Sequence, residues 1–402
     1  MEARKSIFDR FWNSEFTKVG STYHMLVVLL ITIGAVVYVS GEVLFGMNSL
    51  AGGFSLVDIQ WQELASVSLK AGLWQWFPVA WLILAVMTFI FRVSVIIHSY
   101  IKSKKVLGSS NFDRYLLTYF TSFALATFLS IGLMSVFYGL AKLAGFEPKS
   151  GLNILNDGVE WLKALVDAYI PTLLNVNSYW LAIFLTLFLS ALPGYFVHWL
   201  SHKSRFFWYV FHRCHHCPQF LHPMGAPPAF AFDFLLVIPS GLVAIAISKL
   251  IYTEPLVMEM GLWFTFAYAF EIFNHSIVHY DFAYSNFFVR NMSRLIGDRG
   301  VYHLMHHSAK PNDQTINLGA SPFLFWDRLF GTYRKPYESA PPLGLTKQPK
   351  MRMNPARIIL SGIAQLWYEF KENKDWKTRL LVLFGPIHYL PPKTKEYLIL
   401  GY

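Results

Sequence analysis

Two cysteines in 402 residues, Cys214 and Cys217, are too few for a disulfide framework. Their CxxC spacing falls inside a histidine cluster and not in a βαβ pattern, so two thiols with no shared role are expected in preference to a redox pair or a soft metal site. Charge is scarce too: 14% of the residues are Asp, Glu, Lys or Arg, against about a quarter in a soluble globular chain. With 54% hydrophobic and 17% aromatic residues, that scarcity argues against an ordinary soluble protein and makes the bilayer the expected solvent. The first twenty residues lack the compact apolar core and small-residue cleavage site of a secretory signal peptide, so removal of the N-terminus is not expected. No repeat of fixed period occurs. The chain also lacks HExxH, a GxGxxG following a strand, and a CxxxxC run, which leaves no motif for a zinc peptidase, a nicotinamide or flavin cofactor, or an iron–sulfur cluster.

What is present is a series of long apolar runs. Candidate spans cover residues 24–47, 73–98, 115–144, 179–200, 229–251 and 255–273, the last two forming either a membrane-crossing hairpin or one that only dips into the bilayer. Lys and Arg gather on cytoplasmic loops. With the N-terminus inside, Lys102, Lys104, Lys105 and Arg114 are inside, and so are Lys203, Arg205 and Arg213. Residues 47–72 and 146–177, poor in Lys and Arg, fall on the other side. The expectation is an all-α integral membrane protein of about six transmembrane or membrane-embedded helices under a cytoplasmic, histidine-rich helical cap. It divides into a transmembrane region (1–175), a histidine-bearing domain (176–335) and a cytoplasmic extension (336–402). The sequence ends in LILGY without a retrieval signal, which favours a bacterial inner membrane over the endoplasmic reticulum.

Ten of the fourteen histidines fall in four clusters: HWLSH (His198, His202), HRCHH (His212, His215, His216), HSIVH (His275, His279) and HLMHH (His303, His306, His307). On an α-helix, HxxxH puts two imidazoles one turn apart on one face, and HxxHH adds a third. Ten such donors beside apolar spans are hard to explain as packing. Imidazole suits iron, zinc, copper and nickel alike. The number exceeds what one zinc site uses and could serve two metals with about five donors each, every HxxHH paired with an HxxxH. Two irons with open positions would suit dioxygen chemistry on a substrate that has no polar handle.

HWLSH, HRCHH, FNHSIVH and HLMHH, followed by FWDRLFGTY at 325–333, resemble the fatty acid hydroxylase and sterol desaturase superfamily of integral membrane di-iron enzymes. YESAPPLGLTKQP (337–349) and TRLLVLFGP (378–386) are more loosely similar to its alkylglycerol monooxygenase-like bacterial members. The resemblance implies that all ten clustered histidines are ligands of a di-iron centre, that His279, whose position holds a different residue in several members, could instead hydrogen-bond a ligand or substrate, and that Trp326, Asp327 and Arg328 are structural. INLGASP (316–322) departs from the family's Asn-Tyr-Gly and leaves the role of Asn317 open. Around the ligands, Glu271, one turn before His275, could orient an imidazole, and His222 in LHPMGAPP could line the site; Asp281 and Asp298 are expected to be solvated. His24 and His98 are read as interfacial residues at span edges, and His388 as part of a Pro-rich tail.

The function expected is O2-dependent hydroxylation of a membrane lipid by two iron ions, with electrons from an external ferredoxin, cytochrome or reductase docking on the basic face; nucleic acid is not an expected partner. Desaturation on the same centre is the near alternative. A histidine-rich metal- or haem-binding transporter or sensor is the alternative from another class, and would require polar groups in the middle of several spans.

Overall fold

The computed structural model describes residues 77–118, 164–223, 234–253, 269–297, 300–319, 322–345 and 354–394 with a few breaks, and scattered positions at 122–143 and 256–267. The expected spans at 24–47 and most of 115–144 and 255–273 lie outside the described residues, as does Asp298. Within the described residues the protein is helical, without a strand; two isolated bridges, Ser204 with Pro386 and Ser308 with Leu343, are the β-type contacts.

Two long apolar helices frame the fold. Helix α1, Phe77–Leu107, ends with Lys104 and Lys105 in its last turn, where cations complement the carbonyl end of the helix. Helix α2, Tyr179–Ser201, starts where the Ser178 hydroxyl accepts from Leu181 N–H, and it carries Pro193 in its interior. Val86–Leu107 within α1, and α2 itself, are long and apolar enough to cross a membrane, and most of each surface faces outward.

Directly after α2 the chain forms a broken helix, α3: Arg205–Phe207, a π-helical turn Trp208–His212, then Arg213–His216. Such wide turns recur at functional sites, and this one ends on His212, the first residue of HRCHH, whose other two histidines lie on the α-helical turn that follows. Helix α4, Phe234–Ile251, packs along α2, with Ile251 and Ala182 in a shared apolar contact. The remaining short helices are α5 (Tyr280–Ser285), α6 (Phe287–Ile296), α7 (Val301–His306) and α8 (Phe325–Leu329). Two more helices follow, α9 (Pro355–Glu372) and α10 (Trp376–Phe384), opened by the caps Asn354 and Asp375.

The C-terminal helices pack on α3. A buried ion pair joins Arg205 to Glu369, and the same guanidinium donates to the carbonyls of Val382 and Tyr389. Gly362 of α9 lies so close to the π-turn that a Cβ there would overlap the Tyr209 carbonyl oxygen, so only glycine fits. Cys214 and Cys217 form no disulfide; both are buried against Phe112, Leu116 and Ile358, and burial pushes the Cys217 thiol up.

Candidate metal centre

The broken helix α3 and the short helix α7 bring the histidines together. α7 begins at Gly300, whose φ of +55° would strain any other residue and where an added Cβ would crowd the Ser293 hydroxyl. Its N–H donates to Asn274 Oδ1 at 2.6 Å, which ties FNHSIVH to the start of HLMHH.

Two groups of four imidazoles result, one of His198, His202, His212 and His306, the other of His215, His275, His303 and His307; within each, one nitrogen per ring lies within 4.8 Å of the others. Each group could hold a metal ion. Each HxxHH motif is split between the two groups: HRCHH supplies His212 to the first and His215 to the second, while HLMHH supplies His306 to the first and His303 and His307 to the second. His216 stands between the groups, with Nε2 3.0 Å from His212 Nε2 and its ring stacked 4.4 Å from that of His307. Trp208 walls this side, its ring 5.4 Å from His216 and 5.2 Å from His202.

The tautomers test whether a cation fits. His198 Nδ1 is 2.6 Å from the Leu318 carbonyl oxygen and His306 Nδ1 is 2.9 Å from that of Ile316. A carbonyl only accepts, so both Nδ1 atoms carry the hydrogen, and in the neutral rings both Nε2 atoms carry lone pairs. Those two Nε2 atoms are 3.0 Å apart. Facing lone pairs repel one another unless an electrophile lies between them. Nitrogens about 2.1 Å from one metal and at right angles are about 3 Å apart, which matches this pair. In the second group His303 Nε2 is 3.0, 3.3 and 3.4 Å from the Nε2 atoms of His307, His275 and His215. Burial first, and neighbouring imidazoles second, hold His202, His212, His216, His303 and His307 well below the usual histidine range; burial does the same for His306. Neutral imidazole is the form that binds metal.

His279 stands apart from both groups. HSIVH is not an α-helix here: residues 272–275 are a turn and Ile277–His279 a 3-10 turn, so the rings of His275 and His279 do not share a face. His279 Nε2 lies 2.7 Å from His98 Nδ1, its Nδ1 lies 2.6 Å from Ser276 Oγ, and burial lowers its pKa to about 4. His98, expected only to sit at a span edge, is therefore part of this network, and 181 residues of separation left no local signal of it. His222 is buried outside both groups, edge-on to Phe112, with burial taking its pKa down to about 3. Glu271 is half-buried, with its backbone carbonyl accepting from Asn274 N–H; Asp281 is exposed in the first turn of α5.

Asn317 sits at the centre of a clamp. Its φ of +52° turns the chain, and its neighbours Ile316 and Leu318 supply the two carbonyls that orient His306 and His198. Its own side chain accepts from Arg334 N–H and donates to the Tyr302 carbonyl. Asp327 secures the same loop, accepting from the N–H groups of Leu318 (2.6 Å) and Gly319 (2.9 Å) and from the Thr332 hydroxyl (2.7 Å). Thr332 in turn meets Tyr195 of α2. Trp326 anchors to the Phe188 carbonyl, and Arg328 lies 3.8 Å over the Tyr333 ring.

No curated protein and no solved structure matches the chain. Residues 183–332, which include every histidine of both groups, match the model of the fatty acid hydroxylase family, a membrane-associated family of oxidoreductases. The histidine boxes of this chain thus lie in a fatty acid hydroxylase domain of the fatty acid hydroxylase and sterol desaturase superfamily.

Proposed function

We propose that this chain is an O2-dependent hydroxylase of membrane lipids, working with two irons held by the two histidine groups, and with His216 between them. One observation carries the reading: eight imidazoles gathered four and four at the end of an apolar helix, within a fatty acid hydroxylase domain. Iron bound there would supply the redox chemistry that turns dioxygen against an unactivated C–H bond. The balance is one lipid C–H, one O2, two electrons and two protons in, and one C–OH and one water out.

The protein's own contribution is positional. The Leu318 and Ile316 carbonyls fix the tautomers of His198 and His306, and burial keeps the ligand rings neutral. The outward apolar surface of α2 gives an acyl chain, sterol or ether lipid a route along the bilayer to the end of the helix, where His198 lies. The electrons come from a separate ferredoxin, cytochrome or reductase, drawn to the basic face by charge. The same reading puts the centre and both termini on the cytoplasmic side of a bacterial inner membrane, beneath about six membrane helices.

Metal analysis of the purified protein tests it. Two irons per chain are expected, and His215→Ala and His306→Ala should each lose metal, whereas His279→Ala should retain more than either. One zinc per chain, or a haem band, would overturn the reading. Lipid extracts from cells with and without the chain should differ by one added oxygen; loss of two hydrogens instead would mark desaturation.

A further inference from the structure

The C-terminal extension carries an apolar face that the fold leaves open. On α10, Trp376, Leu380 and Phe384 recur every four residues and so share one side of the helix. They are 63, 49 and 60% exposed, while Val382, on the opposite side, is fully buried in a cluster with Trp208 and Leu366. Single exposed apolar residues are ordinary, but a contiguous aromatic and aliphatic stripe needs a partner. Exposed Lys374 and Lys377 lie beside it.

Its position relative to α2 identifies the partner. The apolar helix α2 ends at Ser201, and three residues later Ser204 bridges to Pro386 while Arg205 N–H donates to the Gly385 carbonyl at 3.0 Å. Three residues of chain reach at most about 10 Å. The C-terminal end of α10 is therefore pinned within a headgroup layer's reach of the point where α2 leaves the hydrocarbon. One turn before that point α2 exposes Phe196 and Trp199, and beyond it the Phe206 ring lies 6.1 Å from that of Phe384, so an aromatic belt runs from α2 onto α10.

We propose that α10 is a membrane-surface helix: its Trp376, Leu380 and Phe384 face seats in the headgroup region of the bilayer that α2 crosses, with Lys374 and Lys377 meeting anionic headgroups. Trp with Lys at the margin of an apolar face is the composition of an interfacial helix, and these residues lie outside the family match at 183–332. The inference does not depend on what the histidine centre catalyses.

Spin labels on Leu380→Cys and Phe384→Cys test it, in the full chain reconstituted into phosphatidylcholine and phosphatidylglycerol vesicles. The unsubstituted chain gives the background from the buried Cys214 and Cys217. Collisions with lipid-soluble oxygen should exceed those with a water-soluble nickel chelate several-fold at both positions. Equal or greater access for the nickel chelate would overturn the proposal, and so would exclusion of both agents, which would mean that another segment of this chain or a second copy covers the face. Leaving out phosphatidylglycerol should reduce the oxygen excess; an unchanged ratio would refute the role given to the lysines.

Discussion

Replacing Asp327 with Asn should loosen a metal site that the residue never touches. The carboxylate takes three hydrogen bonds, from Leu318 N–H, Gly319 N–H and the Thr332 hydroxyl. An amide has only one oxygen. If that oxygen keeps Leu318 and Thr332, which share Oδ1, the new NH2 faces the Gly319 N–H across 2.9 Å, donor against donor. A buried bond to a charged acceptor is then lost and a donor stranded, at roughly 3 kcal/mol together. The loop so weakened holds the Leu318 and Ile316 carbonyls that orient His198 and His306. Loss of such outer partners typically lowers metal affinity about 10- to 100-fold. Iron-loaded protein in detergent, challenged with a chelator and followed by elemental analysis, should therefore lose metal at least tenfold faster in Asp327→Asn than in the parent. Asp327→Ala should be worse, and Arg328→Ala, at an exposed neighbour, close to neutral. Parent-like retention of metal in a folded Asp327→Asn would refute the clamp.

Three further outcomes follow from the packing and from burial. Gly362→Ala should cost about 2–3 kcal/mol or more, because its methyl would overlap the backbone carbonyl of Tyr209, which cannot swing aside; an unchanged unfolding midpoint in detergent would refute the contact. Glu369→Ala should destabilise by about 3–5 kcal/mol by leaving the Arg205 charge buried alone, whereas a paired Arg205→Met, Glu369→Leu variant should recover much of the loss; equal midpoints for the single and double variants would contradict this. The metal-free chain should lose stability on acidification. His222 and His279 titrate near 3 and 4 when folded but near 6.5 when unfolded, so their contribution is complete above about pH 6.5 and is lost as pH falls toward those values. Unfolding free energy that stays level between pH 7 and pH 5 would argue against their neutral burial.

The sequence by itself was enough to reveal an apolar helical protein with four histidine boxes in a fatty acid hydroxylase domain. Apolar runs and HxxHH spacing are local patterns, and a helix turns spacing into a shared face. FWDRLFGTY was legible as structural, but the sequence did not say what Asp327 holds. The division of labour needed the tertiary structure. His306 and His307 are neighbours in sequence yet belong to different groups, and HRCHH is divided in the same way between His212 and His215. A spacing rule assumes a regular helix, whereas Ile277–His279 is a 3-10 turn and Trp208–His212 a π-turn, so the local winding decided where those rings point. The pairing of His98 with His279, and the carbonyls of Ile316 and Leu318 behind His306 and His198, join residues about 10 to 180 positions apart. Backbone carbonyls carry no sequence signature, so only the folded chain shows which of them orients a ligand.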